Sequence, residues 1–339
     1  MDFLGGYTSE WSVRRVDRDT WEDGDALEGV MSAVIDRERH DGAPLLESGS
    51  MELDSADFAE GWHRIYMTAT QDGSERHAMA TLLFERASGR TEKGSTVLTL
   101  KGRSVLQPAA DEKLAYGAYA PAGCDGAAYA ARLVSSCTPA PVRVEGSFTI
   151  VDDFVFDLGT SKLDAAWKLL DAAGWCMHID GRGEVTVRQK PTEPALELSR
   201  ANAGLLIPGI DDDFSLVDVP NRYYAIDGDK RAVAENVDPA SRASYPSRGR
   251  WKDEVDTSPV LIDGESLEHY AQRKLAEISV VERTYSYERE FWPGVTVYSL
   301  VRATLAANGI EGDLRVATQR IECSLGAKVT ETAVEEVAA

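Results

Sequence analysis

Trp62-His63-Arg64-Ile65-Tyr66-Met67-Thr68-Ala69 reads as a β-strand, with aromatic and branched residues running up to the turn Gln71-Asp72-Gly73. His77 to Phe84 and Ser95 to Leu100 continue the pattern, separated by turn material around Ser88-Gly89-Arg90. Upstream, Trp11 to Val16 and Val30 to Asp36 are further strand candidates. This spacing predicts antiparallel strands in a barrel or bent sheet over the first hundred residues.

The composition then changes. From Gln107 to Cys137 the chain is rich in alanine, with Pro108, Gly117, Pro121 and Gly123 as breaks. Ala127 to Val134 is predicted helical with Asp125 as its cap. A stronger helix is predicted from Lys162 to Ala173, where Ser161 and Asp164 make a capping-box-like start. Leu163, Ala166, Trp167, Leu170 and Ala173 share one face of it, and Gly174 supplies a left-handed stop. Strands resume at Trp175 to Ile179, turn through Asp180-Gly181-Arg182-Gly183 and return as Glu184 to Arg188, a hairpin signal.

Phe214 to Val217 and Arg222 to Ile226 are further strand candidates. Asp238 to Pro259 is read as a long surface loop in which Arg242, Arg248, Arg250 and Lys252 surround Trp251. It is either a solvated loop or a partner-contact loop. A helix from Ser266 to Val280 follows, with Leu267, Ala271, Leu275 and Ile278 on one side. Strands Arg283 to Phe291, Val295 to Ala303 and Arg315 to Cys323 close the chain, with turns at Pro293-Gly294 and at Gly309-Ile310-Glu311-Gly312-Asp313. The tail Thr332 to Ala339 is expected to fray. The order β, then α, then mostly β makes the class α+β.

At roughly 150 residues per domain, 339 residues suggest about two domains, large enough to bury a core unaided. Hydrophobic residues at 43% and charged ones at 27% mark a globular chain rather than a disordered one. No stretch approaches the ~20 apolar residues of a membrane span, so membrane insertion is not expected. The start MDFLGGYTSEW lacks a secretory signal, which points to a chain made and kept in a cytoplasm until assembly. The formal charge of -21, from 57 acids against 36 bases, argues against tight nucleic-acid binding. It leaves room for a surface past which nucleic acid slides.

Motifs for catalysis are missing. Cys124, Cys137, Cys176 and Cys323 form no CxxC pair and no disulfide framework. Cys176-Met177-His178 has no second ligand pair at zinc spacing and reads as buried structure. His40, His63, His77, His178 and His269 are isolated, with no HExxH. There is no GxSxG elbow and no phosphate-binding loop; Gly181-Arg182-Gly183 is a tight turn. The acidic clusters Asp17/Asp19/Glu22/Asp23/Asp25 and Asp211-Asp212-Asp213 have oxygen ligands for a hard cation but not calcium-loop spacing. No catalytic, cofactor-binding or metal residue is therefore assigned, and no cofactor is expected.

Several passages together resemble the baseplate hub, or tail-tip, proteins of tailed bacteriophages and prophages. The first is Val16-Asp17, the Trp21 turn, Gly29-Val30 and Pro44-Leu45-Leu46-Glu47-Ser48-Gly49-Ser50. The second is Leu169 to Gln189. The third is Asp218-Val219-Pro220-Asn221 leading into Tyr223 to Ile226. The fourth runs from Ser279 through Glu282-Arg283-Thr284 and Trp292-Pro293-Gly294 to Gly312 and Val316 to Leu325. None is specific alone; their order along nearly the whole chain carries the resemblance.

The resemblance implies two β-barrel-like tube domains, at 1–106 and 182–339, with a small helical subdomain at 107–181 between them and an insertion at about 228–262. It further implies a homotrimeric ring that links tail tube to tail tip, contacts other phage tail proteins and lets DNA pass without specific binding. Such a chain is assembled in the host bacterial cytoplasm and resides in the virion tail. An acidic lumen would repel DNA phosphates. Some relatives carry an added peptidase or wall-degrading domain; this chain ends near the hub's own last strand, so no enzyme is expected. Trp251 and Trp292 are candidate exposed interface anchors. Two other readings remain: a carbohydrate-binding tail-tip adhesin using exposed tryptophans, and a cell-wall hydrolase using two carboxylates.

Overall fold

The computed structural model describes residues 7–41, 43–55, 57–70, 74–92, 95–199, 206–214, 216–279, 281–305, 310–324 and 328–337. The expected turn at 71–73 and residue Gly309 lie outside them, as do the chain's last two residues. The first part is seven strands: β1 (Thr8–Val16), β2 (Asp23–Ala26), β3 (Val30–Glu38), β4 (Glu47–Asp54), β5 (Gly61–Thr70), β6 (Ser74–Glu92) and β7 (Ser95–Arg103). Then come α1 (Gln107–Asp111), β8 (Tyr119–Ala120), α2 (Gly126–Ser135), β9 (Val142–Val144), β10 (Phe154–Val155), α3 (Lys162–Ala172), β11 (Trp175–Ile179) and β12 (Val185–Gln189). The rest is β13 (Pro194–Ser199), β14 (Leu206–Phe214), β15 (Arg222–Asp227), β16 (Lys230–Glu235), α4 (Tyr245–Arg248), β17 (Asp253–Asp256), α5 (Leu267–Ile278), β18 (Val281–Glu290), β19 (Leu300–Leu305), β20 (Ile310–Glu322) and β21 (Lys328–Val337).

The class is α+β and strand dominates. Among the described residues, thirteen strands form one sheet whose main path runs β14-β18-β21-β20-β3-β4-β7-β6-β5-β1-β2. The two expected β parts are thus joined by backbone pairing, and the path ends at β14 and β2 rather than closing into a barrel. The junction is β20. Residues 310–315 along one of its edges pair with β19, and Thr318–Glu322 on the same edge pair with β3. A register shift at Val316/Thr318 marks where β20 changes partner, and the freed Ala317 carbonyl accepts the Arg39 amide.

Alternation decides what each strand buries. Along β3, Ala33, Ile35 and Arg37 point inward; Ile35 meets Met51, Leu53, Ile65, Met67, Leu82 and Leu100 in one core, which Ile321 and Val329 extend into the second half. A second core joins Leu196, Leu198, Tyr285, Val301, Leu314 and Ala333.

The helical part is built as expected locally. Asp125 caps α2 by accepting from the Ala127 and Ala128 amides, and Ser161 caps α3 through the Asp164 amide. Leu163, Ala166, Trp167 and Leu170 are buried together with α2. β12 pairs with β11 antiparallel and with β9 in parallel. The hairpin that straddles the expected 181/182 boundary therefore lies in one small sheet against the helices. The β11–β12 turn docks on β6. A Cβ on Gly181 would stand 1.8 Å from the Ala78 carbonyl oxygen, so only glycine permits this approach. Gly181→Ala is expected to cost about 1–3 kcal/mol, read as a lowered urea midpoint. Gly228→Ala, with open space around it, is expected to lose only the strain of its positive φ.

The inserted segment is a sheet in the order β16-β15-β17, covered on one face by α5. This sheet and α5 together occupy 222–278.

Four local expectations differ from the structure. Ser88-Gly89-Arg90 lies inside β6, where a register shift between Arg86 and Ser88 takes up the irregularity. Val295–Ser299 is a turn, because Tyr298 adopts a φ of 67° and the Ser299 amide bonds to the Thr296 carbonyl. Phe214 ends β14, and Val217–Asp218 form a turn outside it. The tail does not fray over 332–337: β21 is sandwiched between β18 and β20, which satisfy its backbone groups on both edges.

Candidate functional site

The sequence's candidate ligands are dispersed or already engaged. Cys176 is fully buried and burial pushes its thiol up to about 11. His178, two residues on, is pulled down to about 3, first by burial and then by Arg188, Arg37 and Arg143, so its ring is neutral. Asp17 turns inward on its own loop: Oδ1 accepts from the Asp19 and Thr20 amides and the Thr20 hydroxyl, which lowers its pKa. Asp23 is held by Arg64 at 2.7 Å and by the Tyr66 hydroxyl at 2.6 Å. Asp211 and Asp213 are exposed on β14, and the Asp212 side chain lies outside the described residues. Among the described residues no group of three His, Cys, Asp or Glu side chains converges as a metal site.

Two side-chain assemblies were not legible in the sequence. The first is a buried polar ladder across the junction of the two β parts. Arg37 donates through Nε to Glu47 at 2.7 Å and through Nη1 to the Gln319 side-chain oxygen, while Nη2 bonds the Met79 carbonyl. Gln319 donates on to Glu331 at 2.5 Å and to the Val295 carbonyl. Glu331 accepts both prongs of Arg289, at 2.6 and 2.7 Å, with both side chains sealed from water. Burial raises the Glu47 carboxyl more than the facing Arg37 lowers it. The ladder fixes how β3 and β4 sit against β18, β20 and β21.

The second assembly centres on His40, between β3 and β4. Its Nδ1 lies 2.8 Å from the Tyr298 hydroxyl, its Nε2 3.0 Å from Asp171, and its ring stacks on Trp167 at 4.3 Å. The Tyr298 hydroxyl also accepts the His40 amide. Lys274 of α5 donates to the Asp171 carbonyl. One histidine thus ties the first β part to the helical part and the second β part, beside an open cleft of about 760 Å³. The partners are 131 and 258 residues away in sequence, so no local pattern announces them. Burial raises the Tyr298 phenol, which stays protonated. The cluster is an anchor between these parts.

The surfaces suited to assembly are sheet edges and apolar patches. Edge strand β14 carries Pro208 and the three aspartates, and β2 reads Asp23-Gly24-Asp25-Ala26; proline and charge on an edge discourage indiscriminate pairing. In the helical part Tyr116, Tyr119, Val155 and Leu158 are exposed around the β8–β10 pair. On the outer face of the insertion Val233, Tyr224 and Val255 stand in register across three strands. Trp251 and Trp292, expected to be exposed, are half-buried. Trp251 stacks on Tyr245 at 4.5 Å and carries the Arg222 guanidinium over its ring at 4.7 Å, while Trp292 packs between two cores. Their aromatic faces are spent inside the chain.

No family model matches this sequence, and no curated protein does. Solved structures do. The chain is similar to the tail protein from Neisseria meningitidis MC58, at 17% identity over 97% of each chain with a TM-score of 0.69. It is similar to the prophage MuSo2 43 kDa tail protein from Shewanella oneidensis, at 12% identity, over 96% of this chain and 98% of that one, TM-score 0.64. It is also similar to prophage tail protein gp18 from Listeria monocytogenes EGD-e, at 9% identity, over 97% and 95%, TM-score 0.58. At these identities the likeness is one of fold, and the fold is that of phage and prophage tail proteins.

Proposed function

We propose that this chain is a structural component of a phage-type tail, a baseplate hub subunit that joins the tail tube to the tail tip. The observation that carries the reading is a fold shared from end to end with a tail protein, 97% of each chain at a TM-score of 0.69. On this reading three copies close a ring through a heterologous contact, other tail proteins dock above and below, and DNA passes through without specific binding. The open sheet ends at β14 and β2 supply edges that neighbouring copies would cover. The net charge of -21 suits a lumen that repels phosphates. The work is done by interfaces rather than an active site, and the chain would reside in the virion tail after assembly in the host cytoplasm.

The other two readings gain no support from the site. Trp251, one of the tryptophans expected to be exposed, has its ring engaged by Tyr245 and Arg222. Glu47, a carboxyl with a raised pKa as a general acid requires, is sealed against Arg37.

Light scattering over a tenfold concentration range at two salt levels should return a mass near three times 37.0 kDa. A chain that stays monomeric there, and also when coexpressed with a tail-tube protein, would overturn the hub assignment.

A further inference from the structure

A separate cleft of about 340 Å³ opens between β6 at Arg76–Met79, the β11–β12 turn at Asp180–Arg182 and the turn Pro293–Thr296. Its ionisable lining is Arg37, Arg76, Arg182, His77 and His178 against a single carboxylate, Asp180. That balance is the reverse of the chain's own, which is -21 overall.

The charges inside the cleft are not mutually satisfied. Asp180 turns Oδ1 into its own loop, accepting from the Arg182 and Glu184 amides. Arg37 is consumed by Glu47, Gln319 and the Met79 carbonyl. Arg76 sits over the Tyr66 ring at 3.5 Å, and among the described residues neither Arg76 nor Arg182 has a carboxylate partner. The Arg182 backbone is fixed, because its carbonyl accepts from Trp21 Nε1 at 2.8 Å and Arg64 Nη2 at 3.0 Å. His178 Nδ1 is buried with no hydrogen-bond partner. Two guanidinium forks without a carboxylate partner line one small cleft together with a buried, unpartnered ring nitrogen.

We propose that this cleft binds a single oxyanion group, a carboxylate or a phosphate, held by Arg76 and Arg182 beside the His178 ring. Guanidinium forks meet such groups with two parallel hydrogen bonds, and partial shielding from water strengthens them. The group would come either from a free anion or from an acidic side chain of a neighbouring protein. The site stands independently of the hub reading, since its evidence lies within one chain.

The test is calorimetric titration of the full chain with inorganic phosphate and, separately, with acetyl-Glu-Glu-amide, at an ionic strength held constant with chloride. Saturable binding of at least one probe is expected, weakened at least about tenfold in the Arg76→Ala/Arg182→Ala variant. Both side chains are exposed, so the variant should fold; Arg90→Ala, which lies outside the cleft, is the charge control and should bind normally. Tighter phosphate binding identifies a free anion as the source, and tighter peptide binding an acidic protein segment. The His178 ring should also titrate at a higher pH in the presence of the bound probe, because an anion favours its charged form. No saturable binding of either probe, or equal affinity in the double variant, would overturn the proposal.

Discussion

Glu331→Ala should destabilise the chain by about 3–5 kcal/mol, because it strands the buried Arg289 guanidinium without its counter-charge. Glu331 has no solvent exposure and accepts three hydrogen bonds, two from Arg289 and one from Gln319. The attraction within the pair is offset by the cost of desolvating both ions, so the net worth of the pair is small. The penalty of breaking it is large all the same, because the remaining charge stays in a low-dielectric core. Arg289→Met with Glu331→Leu should therefore recover most of the loss, leaving Gln319 bonded to the Val295 carbonyl. Urea unfolding followed by circular dichroism reads both variants. A double variant as unstable as Glu331→Ala would mean that the ion pair itself, not the stranded charge, sustains the junction.

Trp167→Ala should cost a similar ~3–5 kcal/mol, a value typical for emptying a large buried aromatic site. The indole is buried against α2 and the small sheet, donates its N–H to the Pro44 carbonyl at 2.9 Å and backs the His40 ring. Its removal leaves a cavity, an unsatisfied carbonyl and a histidine free to leave Asp171 and Tyr298. Trp167→Phe keeps an aromatic ring in the site and loses the N–H bond and part of the indole's volume, so a smaller loss of about 1–3 kcal/mol is expected. An unchanged urea midpoint for Trp167→Ala would show that α3 is not what holds the helical part to the β3–β4 connection.

The expected oxyanion site and the buried ladder share Arg37. That arginine lines the cleft yet spends its hydrogen bonds on the core. Arg76 and Arg182, which are exposed, can be altered without touching the ladder, whereas a substitution at Arg37 would confound binding with folding.

The sequence by itself determined the local elements: the caps Asp125 and Ser161, the face Leu163/Ala166/Trp167/Leu170, the Gly181 turn and the aromatic strand over 62–69. Each depends on residues within one or two turns or strands, where periodicity and capping chemistry are written directly into the order of residues. The ordered resemblance also anticipated the tail-protein fold, because weak local patterns in a fixed order add up. Only the tertiary structure decided the rest. Which strand β20 pairs with after Ala317, the ladder from Arg37 to Arg289, the His40 anchor and the unbalanced cations of the cleft all join residues tens to hundreds of positions apart. Strand pairing is non-local: a strand's pattern states which face it buries, not which neighbour completes its hydrogen bonds. Trp292 looked available in the sequence for the same reason, and only packing against two cores covered it, whereas Trp251 is covered by nearby Tyr245 as well as by Arg222.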